Sequence, residues 1–86
     1  MPMSVTSDIA KATGLFHQGV DLMDSASSVG DLVIARTMLQ DAMFELLDVK
    51  VVLPSSDPMA ARLDETVRRG NVYLDGLDVF ISEATG

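Results

Sequence analysis

Leu32-Val33-Ile34-Ala35-Arg36-Thr37-Met38-Leu39-Gln40-Asp41-Ala42-Met43-Phe44-Glu45-Leu46-Leu47-Asp48-Val49-Lys50-Val51-Val52-Leu53-Pro54 is the stretch on which the fold turns. Within it Leu32, Ala35, Leu39, Ala42, Leu46, Val49 and Leu53 recur at alternating steps of three and four, the spacing that lines one side of an α-helix. Ahead of the run, Ser28 and Asp31 make a capping-box-like start with Asp in place of Glu. Pro54 stops it, since proline has no N–H to donate and restricts the residue before it. Strict alternation of apolar and polar residues is nowhere sustained for a strand's length, which disfavours a sheet.

The same step runs in both directions from this segment. Upstream, Ser7 and Asp8 offer a helix start, followed by Ile9, Ala12, Phe16, Gly19, Met23 and Ala26. Downstream, Asp57-Pro58 is a side-chain acceptor followed by a proline at a first helical position, and Ala60, Leu63, Val67, Gly70, Leu74, Leu77 and Ile81 repeat the period. Helices over about 8–26, 30–53 and 58–83 are expected, with Thr85-Gly86 as a frayed end. The predicted fold is all-α: a three-helix antiparallel bundle, or a long hairpin with a shorter N-terminal helix packed on it, in one domain over 1–86. Glycine inside a helix costs roughly 0.5–1 kcal/mol relative to alanine. Gly19 and Gly70 fall on the core stripe, where either a bent helix or close approach of two backbones would account for them.

Composition narrows the function. Of 86 residues 6 are basic and 13 acidic, giving a formal charge of −7, which argues against nonspecific binding to phosphate backbones. Apolar residues make up 48%, enough for a core without metals or crosslinks, and the absence of cysteine removes disulfides, thiolate metal sites and thiol catalysis. The opening Met1-Pro2-Met3-Ser4-Val5-Thr6 lacks the basic start and apolar run of a signal peptide. The most apolar window, Ala42 to Leu53, is broken by Glu45, Asp48 and Lys50 and is shorter than the ~20 residues of a bilayer span. The expectation is a soluble cytoplasmic protein without membrane, nucleic-acid or small-molecule partners.

A second apolar stripe carries the functional expectation. With 100° per residue, Gln40, Asp41, Glu45 and Asp48 fall within roughly 80° of Thr37 and define the wet side of the second helix, yet Phe44 lies in its middle with Val33 and Val51 beside it. Val33, Gln40, Phe44 and Val51 therefore form a stripe away from the core seam. The third helix adds Tyr73 and Phe80, seven residues apart beside the Leu74 to Ile81 seam. These six are the candidate partner-binding residues; the alternative for Phe44 is cover from a loop or the first helix. Asp21, Asp24, Asp75, Asp78 and Glu83 lie near helix C-terminal ends, where the dipole disfavours anions, so they serve solubility or a basic partner. His17 has only Asp21 on its side as an acid-base partner, and Asp41, Glu45 and Asp48 lack the loop that would hold a divalent cation. No glycine-rich phosphate loop or nucleophile elbow occurs, so no catalytic residue, cofactor or metal is expected.

The turn Pro54-Ser55-Ser56-Asp57-Pro58, in a cysteine-free helical chain, resembles the Pro/Ser/Asp/Pro turn between the two helices of type III secretion needle subunits, over about five residues. That resemblance implies a subunit of a helical filament. Here the turn sits late, the final helix is shorter and the charge is more acidic, so no functional residue is transferred. The expected function is a non-enzymatic interaction module that binds itself or a partner helix through apolar stripes on helices two and three. A subunit or chaperone of a secretion-type assembly is the alternative.

Overall fold

The computed structural model describes residues 2–85, with side chains described from Ser7 onward, and consists of α1 (Pro2–Ser25), α2 (Val29–Val52) and α3 (Pro58–Thr85). It is an all-α three-helix bundle measuring 45 × 19 × 16 Å. Neighbouring helices run antiparallel. Ala12 of α1 clusters with Leu46 and Val49, whereas Phe16, one turn on, meets Leu39 and Ala42, so α1 ascends as α2 descends. Lys50 pairs with Asp64 and Arg36 with Asp78, which gives the same opposition between α2 and α3.

Local chemistry sets the helix ends. Ser28 has extended backbone angles (φ −150°, ψ 163°) and its hydroxyl accepts the Asp31 N–H at 3.2 Å. The Asp31 carboxylate returns the bond one residue earlier than a capping box would, accepting from Ser27 N–H at 3.2 Å and from its hydroxyl at 3.3 Å. Leu53, ahead of Pro54, is extended (φ −86°, ψ 138°), the conformation a following proline imposes. The Asp57 N–H then donates to the Pro54 carbonyl at 3.0 Å, and the Asp57 carboxylate accepts from Met59 N–H at 2.9 Å to open α3.

Two boundaries differ from expectation by more than one residue. α1 begins at Pro2 rather than near residue 8, so Ser7 lies within the helix and does not cap it. Proline is preorganised for a first helical position, and Met3 to Thr6 include no breaker that would delay the start. With 24 residues α1 equals α2 in length, so the variant with a shorter first helix is set aside. α3 continues to Thr85, whose hydroxyl donates back to the Ile81 carbonyl at 2.8 Å, instead of fraying there; Gly86 lies outside the described residues.

The core has two layers. Ala12, Leu46, Val49 and Leu63 form the one nearer the Pro54–Pro58 turn, and Phe16, Leu39, Ala42 and Leu77 form the other. Leu39 and Leu46 are completely buried, one in each layer. Among the described residues no polar or charged side chain is buried. The two core glycines mark close helix approaches. A Cβ on Gly19 would stand 2.9 Å from Leu39 Cγ and 3.3 Å from the Leu39 backbone nitrogen, and one on Gly70 would overlap Met43 Sδ and stand 3.2 Å from Phe16 Cε2. Gly14, by contrast, faces open space.

This difference fixes opposite signs for the same substitution. Gly14→Ala should raise stability by about 0.5–1 kcal/mol through helix propensity alone. Gly19→Ala should lower it by about 1–2 kcal/mol, because overpacking against a branch point and a backbone exceeds that gain. Urea denaturation followed by circular dichroism reads both, and equal signs would contradict the close approach.

Candidate interaction surface

α2 packs along both neighbours. Lys50 and Arg36 put α3 on one flank, and Ala42 and Val49 in contact with α1 define the other. The rest of its circumference faces outward and is largely apolar: Val33 is 45% exposed, Phe44 58% and Val51 84%, with Ile34, Leu47 and Val52 also exposed. Neither a loop nor α1 covers Phe44. Gln40, half-buried, continues the line between Val33 and Phe44. Val33, Gln40, Phe44, Leu47 and Val51 lie within about 60° of one another around the helix axis, as 100° per residue requires, and so form one strip, with Ile34 and Val52 about 80° from Phe44 outside it.

Tyr73 and Phe80 do not join that strip. Asp78 marks the flank of α3 that meets α2, and Tyr73 and Phe80 stand about 140° and 160° from it around the helix. Tyr73 instead turns toward α1. It is half-buried, its ring centroid 6.1 Å from that of Phe16 and tilted by 51°. Phe80 is 65% exposed. Both line an open groove of about 570 Å³ whose walls come from the end of α1 (Met23), the start of α2 (Val29, Leu32) and α3 (Val72, Phe80). Gly76, with open space where a Cβ would stand, forms a recess between Val72 and Phe80. The six sequence candidates thus divide between two surfaces on different sides of the bundle.

The groove escapes sequence reading because it needs all three helices. Its sequence trace is limited to the Val72-Gly76-Phe80 spacing, which puts a gap between two large apolar residues on one side of a helix.

Polar chemistry on these surfaces is sparse. His17 is exposed and stands edge-on to Phe16, with ring centroids 6.2 Å apart. Among the described residues no three His, Cys, Asp or Glu side chains come together in a way that would hold a metal ion. No described helix is long and apolar enough to cross a membrane. Comparison of the chain with protein-family models, with curated proteins and with solved structures found no match.

Exposure separates what holds the fold from what does not. Phe44→Gln and Val51→Gln should leave stability within about 0.5 kcal/mol of the parent, whereas Leu46→Ala should cost about 2–5 kcal/mol. Thermal and urea unfolding measure all three, and a large loss at Phe44 would mean that its ring supports the bundle.

Proposed function

We propose that the protein is a non-enzymatic interaction module that docks a helix against the apolar outer surfaces of α2 and α3. The observation that carries this reading is the circumference of α2. Its seam is filled by α1 and α3, and a second apolar line, Val33, Phe44, Leu47 and Val51, is left in solvent. A helix that is apolar around most of its girth is ordinarily enclosed, and exposed apolar strips of this kind mark protein-binding sites. An amphipathic helix laid along the strip removes these side chains from water, at roughly 25 cal/mol per Å² of apolar surface covered. The non-enzymatic part rests on the titratable groups. His17, the sole imidazole, is exposed and has only Asp21 on its side as an acid-base partner.

Self-assembly is the second reading, favoured by the division into two surfaces. If the α2 strip of one copy seats in the α3 groove of the next, the contact is head-to-tail and generates rings or open filaments.

Nitrogen-15 NMR titration of the full chain with a designed amphipathic helix, leucine along one side and glutamine elsewhere, tests the module. Shifts should concentrate at Val33, Gln40, Phe44 and Val51 or at Val72, Tyr73 and Phe80; no shift at millimolar peptide would overturn the reading. Light scattering of the free chain over a concentration series separates the two readings, since only the assembly gains mass above the protomer, to a fixed value for a ring and without an end point for a filament.

A further inference from the structure

We infer that the α2 strip takes a basic amphipathic helix, one whose apolar side is bordered by Lys or Arg, in preference to a second copy of this chain; the inference rests on the interaction-module reading. The argument is charge placement on the two borders of the strip. On the border away from α3 stand Asp41 and Asp48, both exposed, and Thr37. Each carboxylate lies about 40–60° from Phe44 around the helix. Glu45 and Asp48 also line a shallow cleft with Asp8 and Lys11, so three carboxylates there face a single ammonium group.

The opposite border belongs to α3. Asp64 and Asp78 are engaged by Lys50 and Arg36 across the helix seam, which uses both cations of α2. Asp75, exposed and about 60° further outward than Asp78, stands on the same border. Of the arginines of α3, Arg68 stands on this border, about 20° round the helix from Asp75, and lies 3.8 Å from Glu65; Arg69 lies 3.5 Å from the same carboxylate on the far side, and Arg62 is about 160° round α3 from Asp64. Seam ion pairing thus consumes both cations of α2 and leaves Asp41, Asp48 and Glu45 in excess over Lys11 on the border away from α3, while Asp75 stands beside Arg68 on the other. A helix carrying cations alongside an apolar line matches this pattern. A second copy would bring its own acidic borders and a further charge of −7.

The test uses two labelled helical peptides with one leucine seam, flanked by lysine in one and glutamine in the other, titrated against the full chain by fluorescence anisotropy. The lysine peptide should bind about tenfold more tightly at low salt, and the advantage should shrink at 0.5 M salt. Neutralising the borders (Asp41→Asn, Asp48→Asn, Asp75→Asn) should remove the advantage. Neutralising as many acids elsewhere (Asp21→Asn, Asp24→Asn, Glu83→Gln) should leave most of it. Equal loss in both triple variants would reduce the effect to net charge and overturn the inference. Equal binding of the two peptides, both lost in Phe44→Gln, would also overturn it while the docking surface stands. A dimer of the free chain that Phe44→Gln disperses would assign the strip to a second copy. Circular dichroism of each variant establishes that the bundle is intact.

Discussion

Leu39 and Leu46 are the side chains around which the rest is arranged. Each is wholly removed from water at a point where α2 meets both of its neighbours, and each anchors one layer of the core, with Val49 and Leu63 packed around Leu46 and Phe16 and Leu77 around Leu39. Ala12, Ala35 and Ala42 beside them let the helices draw close enough to close over the leucines. The geometry has a cost in coverage. Two helices set against one side of α2 cannot reach its other side, and Phe44 and Val51 are there.

The seam was legible from period alone. Every stripe position of α2, from Leu32 to Leu53, is buried or half-buried, as are those of α3 from Ala60 to Ile81. Ser28-Asp31 and Asp57-Pro58 mark their helix starts because capping is a contact among residues a few positions apart. The start of α1 was not legible in the same way. Ser7-Asp8 has the composition of a cap, but a helix begun earlier at Pro2 passes through it without penalty. Met43 escaped as a core residue for a different reason. It stands off the stripe and is buried because Gly70 leaves room for its sulfur, a pairing between positions far apart in the chain. For the candidate surface, a helical wheel was enough to put Phe44 and Val51 on the outside of α2. That Phe80 opens on another side depends on how α3 is rotated, which the burial of Leu63, Gly70 and Leu77 sets and the Arg36–Asp78 and Lys50–Asp64 pairs accompany.

Those ion pairs are exposed and contribute modestly to stability, at about 0.2–1 kcal/mol each. Their larger effect is on the distribution of charge. By holding the two cations of α2 against α3, they leave Asp41 and Asp48 beside the apolar strip with no cation of their own helix to offset them. Sequence alone shows an excess of acid, and only the pairing pattern shows where that excess faces.

Among the described residues no polar group is buried, so no hydrogen bond inside the core fixes how far one helix is slid along another. Here alignment falls to shape. Gly19 admits Leu39 and Gly70 admits Met43, and each match is lost when a helix moves by one turn, because a side chain then fills the notch. The pair works as a mechanical detent, so the longitudinal register of this small bundle is written in two missing methyl groups.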